Sequence, residues 1–496
     1  QTKTMHYLVE IAIWRYLSLH WRGALGWIWL ITGIYLAIRI ILQRRAPAAT
    51  LAWIMALCLM PPVGLLIHHF FGPRKIKRQS MRRLHGQTLL RAHNDLSALK
   101  LNPLSPPTAA LQHSQLIQAS CGLPPSSCES IELINGGGAT LDALLQAIAQ
   151  ARCHVHLEYY IYDPDQTGTQ LTHALIEALQ RGVKVRLLVD AIGSAAFLGR
   201  RGKALRGQFA AAGGELAVFH PAWLDRWRPL VNLRTHRKIV VCDGAVGFTG
   251  GINISDTENE HLFPSTAYRD THMRLQGAAV RWLQYVFLHD WVYASGKHDF
   301  EEEILGCAQP GPYAVQIVAS GPDGSGQAIH HSMVHAINIA QHRIWLTTPY
   351  FVPTEPALFA LKNAALRGVE VIVLVPKRSD SFWVTMAARS YFEPLRQAGA
   401  QVYEYVGTML HAKTLVVDDN YSLVGTANFD NRSFLLNFEL AVALYSPSLT
   451  KQLADMFEQD LKKAQKARPA GGKTVWYKKM AVSLCESLAR LLSPLL

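Results

Sequence analysis

A chain of 496 residues can hold two or three core-bearing units, and its 49 Lys and Arg against 36 Asp and Glu leave a formal charge of +13. That surplus suits an anionic partner, either nucleic acid or an acidic membrane surface. Seven scattered cysteines with no Cys-x-x-Cys exclude a disulfide framework and a cysteine zinc site, and fit a reducing compartment.

From Gly23 to Ile38 there is no charged residue, and Arg39 can reach an interface before Leu42 closes the stretch. Its length is close to the roughly 20 residues that cross a bilayer. A second stretch, 46–71, lacks Asp, Glu, Lys and Arg and is broken by Pro61-Pro62, so a kinked or re-entrant span is expected. Residues 1–80 thus read as a membrane anchor with spans at 23–42 and 46–71. The basic run Arg74, Lys75, Lys77, Arg78, Arg82 and Arg83 follows directly and reads as lipid contact. The distribution of flanking positive charge puts the bulk of the chain in the cytoplasm. Residues 81–130 read as a linker.

Beyond residue 150 the chain repeats itself. The first copy runs VHLEYYIY (155–162), a helical stretch ending in Arg181-Gly182-Val183, the strand VKVRLLV, then Gly213-Gly214 and ELAVF. The second runs RIWLTTPYF (343–351), a helical stretch ending in Arg367-Gly368-Val369, VEVIVLV, then Gly399-Ala400 and QVYEY. β-Branched runs alternating with amphipathic stretches predict two lobes, 131–307 and 313–466, each a βαβ unit around a largely parallel sheet.

Each copy next carries one polar constellation: His236, Lys238, Asp243, Gly250-Gly251 and Asn253, then His411, Lys413, Asp418, Gly425-Thr426 and Asn428. His and Lys two apart on a strand point to one face. Two copies facing each other make a pocket with two imidazoles and excess positive charge, suited to a phosphorus anion. One histidine attacks phosphorus while neutral, and the other protonates the departing alcohol. Asn253, Asn428, Gly251 and Thr426 are the candidate phosphate contacts. The motif groups Asp243 and Asp418 with the catalytic set, although a third acid aimed at phosphate would repel it, which favours a structural role. Each imidazole needs an acceptor to fix its tautomer. Asp270 and Glu439, 34 and 28 residues past His236 and His411, are expected to orient the histidine of their own copy. The paired lysines would repel a cation, so no metal and no cofactor are expected. Hydrolysis of lipid or nucleic acid by the same histidines and a non-catalytic lipid-binding scaffold are the competing readings.

These residues resemble the two HKD motifs of the phospholipase D superfamily. RRAPAATLAWIMALCLMPPVG, NLRTHRK and GTANFDNRSFLLNFE extend the resemblance, over nearly the whole chain, to its bacterial cardiolipin synthases. The resemblance implies two pseudo-twofold-related α/β lobes packed together behind an N-terminal membrane helical hairpin. It implies that phosphatidylglycerol gives its phosphatidyl group to a second phosphatidylglycerol through a phosphohistidine, which analogy assigns to His236. The implied partners are phosphatidylglycerol and anionic membrane lipids at a bacterial inner membrane, with no nucleic acid and with self-association left open. One departure is Gly251, where Ser is common in the superfamily.

Before the first motif the chain is longer than before the second. The extra residues include Trp223, Trp227, Arg228 and Arg234, a candidate lipid-contact loop. At the end of the chain, 474–496 reads as an amphipathic helix.

Overall fold

A computed structural model describes residues 74–93, 106–220, 233–298, 309–322 and 327–467, with shorter runs in the terminal regions. The chain forms two compact units, Gln1–Lys75 and Ile76–Leu496. In the first, residues 30–38 are helical. Among the described residues no helix is long and apolar enough to cross a membrane. The span expected at 23–42 is mostly described, and its described residues are helical up to Ile41, whereas that expected at 46–71 and the helix expected at 474–496 lie largely outside the described residues.

The second unit holds both lobes. Its strands in chain order are β1 (Ser126–Cys128), β2 (Ser130–Asn135), β3 (His154–Tyr159), β4 (Lys184–Asp190), β5 (Glu215–Phe219), β6 (Ile239–Cys242), β7 (Val246–Gly250) and β8 (Thr271–Gln276). They continue as β9 (Tyr313–Ser320), β10 (Arg343–Thr347), β11 (Phe351–Val352), β12 (Glu370–Pro376), β13 (Gln401–Tyr405), β14 (Thr414–Val417), β15 (Tyr421–Gly425), β16 (Phe429–Asp430), β17 (Glu439–Leu444) and β18 (Ala464–Lys466). The first sheet has the order β2-β8-β7-β6-β3-β4-β5. The second repeats that order as β9-β17-β15-β14-β10-β12-β13, with β1 and β18 added at its two edges. The duplication read from Arg-Gly-Val and the twin motifs is therefore a duplication of topology.

The sheets are mixed, not largely parallel. In the first lobe only the β3–β4 and β4–β5 pairs run parallel, while β6, β7, β8 and β2 pair antiparallel. The reason is a tight hairpin between β6 and β7. Asp243 and Gly244 sit there at φ 53° and 63°, the left-handed pair that a type I′ turn requires. Residues 81–130 are also more than a linker. Helix Leu111–Cys121 buries Ile117 in the second lobe's core, and β1 extends that lobe's sheet along β9.

Three cores hold these layers. One lies under the first lobe's helices Gly137–Gln150 and Gln166–Gln180, and one under the second lobe's helices Ala328–Ile339 and Glu355–Leu366. The third fills the space between the sheets around helices Val280–Ser295 and Pro447–Lys462, with Trp291, Phe287 and Phe457 buried in it. That shared core makes the lobes one body and fixes the two motifs relative to each other.

Candidate active site

His236 and His411 stand just before β6 and β14, on corresponding strands of the two sheets. They open onto one cavity of about 540 Å³ at the junction of the lobes, lined also by Tyr160, Asn253, Glu258, Tyr350, Asn428 and Arg432. Both histidines are at least nine-tenths buried.

The carboxylates that orient them are crossed between lobes. His236 Nδ1 lies 3.0 and 3.1 Å from the two carboxylate oxygens of Glu439, which belongs to the second lobe. His411 Nδ1 lies 2.6 Å from Asp270 Oδ2, which belongs to the first. The same-copy pairing expected from sequence order is thus overturned. The cause is a pair of cross-lobe bridges, Thr235 with Phe438 and Arg269 with Leu410. His236 N donates to Phe438 O at 2.8 Å, and His411 N donates to Arg269 O at 2.7 Å. The bridges seat His236 beside Glu439, which begins β17, and His411 beside Asp270, which immediately precedes β8.

Burial pulls the His236 imidazole down to about 4, against the attraction of Glu439, so it is neutral near pH 7. Lys238 is brought down to about 7 by burial and by the nearby Lys413, and burial lowers Lys413 too. Burial alone would raise Asp270, but Lys413 and His411 outweigh it and hold the carboxyl at about 2. An arriving phosphate anion would favour the ammonium form of both lysines.

The remaining motif residues separate by role. Asp243 and Asp418 are not in the cavity. Asp243 accepts from the backbone N–H groups of Arg152, Cys153 and His154 at 2.8–2.9 Å. Asp418 does the same for Gln341, His342 and Arg343. They anchor the starts of β3 and β10, which corrects their grouping with the catalytic set. Gly251 and Thr426 do not line the cavity either. A Cβ at Gly251 would fall 2.1 Å from Asp270 Oδ1, so glycine leaves the room that carboxylate needs. Thr426, in the matching position, donates its hydroxyl to Glu439 and accepts from Leu440 N at 2.9 Å. Both residues serve the orienting acids and do not reach toward phosphate.

The two asparagines are unequal. Asn253 gives its backbone N–H and its side-chain amide to Glu258, at 2.9 and 2.7 Å. Asn428 donates its backbone N–H to Ser433 Oγ at 3.1 Å, and its buried Oδ1 has no partner among the described residues. Glu258 went unread in the sequence, although it stands five residues past Asn253 as Ser433 stands past Asn428. Glu258, Asp270 and His411 each bring a ligand-type atom within 4.8 Å of the others. Lys413 Nζ sits in the same place, 2.9 Å from His411 Nδ1 and 3.4 Å from Asp270 Oδ2, and an ammonium there disfavours a cation.

Of the candidate lipid-contact loop, Trp223, Trp227 and Arg228 lie outside the described residues. Arg234 is buried at the cavity wall, 3.7 Å from Asp190. Arg83, read as part of a lipid-facing basic run, is buried instead. It pairs with Asp290 at 2.6 Å and packs over Phe438. Asp290 also pairs with Arg237, and Thr235 donates to Glu158, so a buried charged network backs the first histidine's strand. His154 and His156 stack on each other in the core.

Two sheets of one topology, meeting at twin histidine–lysine half-sites, define the phospholipase D-like class. A family model described as "Cardiolipin synthase, PLD-like domain" matches residues 144–291 and 333–461, and one described as "Phospholipase_D-nuclease N-terminal" matches 31–73. Cardiolipin synthase 1 of Bacillus anthracis is 37% identical, over 97% of this chain and 95% of that protein. The cardiolipin synthase of Geobacillus sp. (strain WCH70) is 38% identical, over 93% of this chain and 92% of that protein. Among solved structures, the phosphatidylserine synthase of Haemophilus influenzae Rd KW20 shares the fold at 13% identity and a TM-score of 0.57, over 78% of this chain and all of that one. The chain belongs to the bacterial cardiolipin synthase family.

Proposed function

We propose that this chain transfers the phosphatidyl group of one phosphatidylglycerol to the hydroxyl of a second, giving cardiolipin and glycerol. The observation that carries the chemistry is the pair of buried histidines in one cavity, each with Nδ1 held by a carboxylate from the opposite lobe. With Nδ1–H given to Glu439, neutral His236 keeps the lone pair of Nε2 for phosphorus. Its attack forms a P–N bond as the P–O bond to the headgroup glycerol breaks, and His411 delivers the proton to that leaving oxygen. His411 then takes the proton of the incoming lipid hydroxyl, whose oxygen displaces His236 from phosphorus. Lys238, Lys413 and the amide of Asn428 stabilise the charge on the non-bridging oxygens.

Substrates of this kind lie in a bilayer, and the apolar stretches 23–42 and 46–71 are read as its anchor, a hairpin in a bacterial inner membrane with the lobes in the cytoplasm. Exposed Trp27, Leu30, Ile31, Ile34, Tyr35 and Ile38 support that reading, since such a row has no use in water. Anchoring also favours transfer over hydrolysis by raising the local concentration of lipid hydroxyls.

The test supplies phosphatidylglycerol in liposomes and measures cardiolipin with glycerol against phosphatidic acid. Cardiolipin with equimolar glycerol, lost in His236→Ala and His411→Ala, is expected. Phosphatidic acid as the sole product overturns the transferase reading in favour of hydrolysis.

A further inference from the structure

The segment after β12, Lys377-Arg-Ser-Asp-Ser-Phe-Trp-Val384, joins the cavity to the outside of the molecule. Asp380, Ser381 and Val384 line the cavity. Phe382 and Trp383 lie between them in sequence and are turned outward, 62% and 44% exposed. Among the described residues no other two sequence neighbours are both exposed aromatics. They open helix Phe382–Arg389, where Ser381 accepts from Val384 N, and their rings meet edge to face at 5.6 Å.

The fold does not require this exposure. The first lobe's matching strand, β4, is followed by a short helix whose aromatic, Phe197, is fully buried. The stretch beside the pair carries two cations against one acid, Asp380, which is itself exposed. Arg378 is exposed and Lys377 half-buried, while the single acid of the stretch, Asp380, accepts from Tyr350 Oη at 2.7 Å. Aromatic side chains of this size next to exposed cations fit an anionic lipid surface. A phosphatidyl group with its phosphorus at the histidines also needs an apolar wall for its acyl chains, and Val384 supplies part of one on this side of the cavity.

We infer that Phe382 and Trp383, flanked by Lys377 and Arg378, form a membrane-docking surface that seats the cavity mouth on an anionic bilayer. This inference rests on the proposed lipid substrate. The experiment uses the full chain in phosphatidylcholine vesicles. It compares consumption of long-chain phosphatidylglycerol in the bilayer with that of dihexanoyl phosphatidylglycerol dissolved as monomers. Phe382→Ser/Trp383→Ser is expected to slow the bilayer reaction by about tenfold or more, the worth of losing one large apolar contact with lipid. The soluble substrate should turn over as in the parent chain, which also shows the variant folded. Phe382→Trp/Trp383→Phe should restore the bilayer rate, and Lys377→Glu/Arg378→Glu should lower it further as the anionic lipid fraction rises. An equal fall on both substrates, no fall on either, or a change only in oligomeric state would each overturn the docking surface. Because consumption is read irrespective of product, phosphatidic acid formation would defeat the transferase reading and still leave this comparison decisive.

Discussion

Glu439 of the second lobe holds His236 of the first at 3.0 Å, while Asp270 of the first lobe holds His411 of the second at 2.6 Å. Neither lobe therefore contains a complete half-site. The interface between the lobes is itself catalytic structure, and a shift of one lobe would mis-set both imidazoles together. Replacing either acid by its amide keeps the shape but removes the charge that selects the tautomer. Glu439→Gln and Asp270→Asn are each expected to lower kcat by on the order of 10³-fold with little change in KM. A loss confined to KM would show that the acids act in binding and not in orientation.

The positions beside the acids are equally constrained, in opposite ways. Gly251→Ser places a Cβ 2.1 Å from where Asp270 Oδ1 now sits, so the carboxylate must leave His411. Activity should fall at least about 100-fold although serine is small and polar. Thr426→Ser keeps the hydroxyl donated to Glu439 and should stay near parental activity, whereas Thr426→Val removes it and should cost about tenfold. Steady-state rates on the same lipid vesicles decide both. A fully active Gly251→Ser variant would contradict the arrangement described.

Much of this site was legible in the sequence, and what was missed has a common cause. The doubled His-x-Lys pattern pointed to the two histidines of the cavity, although both pairs stand just before β6 and β14 and only the histidines line it. The twin Arg-Gly-Val and glycine landmarks gave the duplication because they mark βα turns, which are local. The crossed acids were not legible, since the bridges at Thr235–Phe438 and Arg269–Leu410 join residues about 200 and 140 apart, and spacing along one copy says nothing of the other. Arg83 was misread for the same reason, because its partner Asp290 is distant in sequence. The mixed sheet, by contrast, could have been read: Asp243-Gly244 between two apolar runs is a strong hairpin signal. Glu258 could have been found by aligning it with Ser433.

Asp243 and Asp418 differ from the rest of the motif in what they should break. Each adopts a left-handed φ, 53° and 49°, and gathers three backbone N–H groups at the head of a strand. Asparagine tolerates that backbone and keeps one acceptor. Asp418→Asn is expected to lower stability by less than about 1 kcal/mol, and Asp418→Ala by about 2 kcal/mol. The fraction that remains folded should turn over normally. Thermal unfolding paired with activity per folded molecule separates this from a catalytic role, which would leave the melting temperature unchanged and remove the activity.

The cluster of Glu258, Asp270 and His411 invites a metal test with a definite expectation. Lys413 Nζ already sits against two of those three groups, His411 and Asp270. Prolonged chelation should leave turnover unchanged. Glu258→Gln should nevertheless lower kcat by about 10- to 100-fold, because it loses an ionic acceptor that fixes Asn253. Restoration of a chelated sample by one particular divalent ion would refute the lysine argument.

Stability should depend on pH through buried histidines. Burial lowers His113, His220 and His272 to about 3 and His236 to about 4. In the unfolded chain these groups bind protons as pH falls through roughly 6.5, while in the fold they stay neutral until far lower. The unfolded state then holds more protons, so stability must fall with pH across that window, by up to about 1.4 kcal/mol per pH unit for each histidine. Asp270 and Asp290, held at about 2, act in a different range: their contribution is full above roughly 3.8 and is lost only as pH falls toward 2. Acids raised by burial, Asp430 to about 6 and Glu158 well above its ordinary value, take up protons in the fold across the same window and offset part of this, and the melting temperature is expected to decline from pH 6.5 to 4.5 by the remainder. A His236 imidazole found protonated between pH 7 and 5, read from its ring NMR shifts, would lack the lone pair its proposed attack requires.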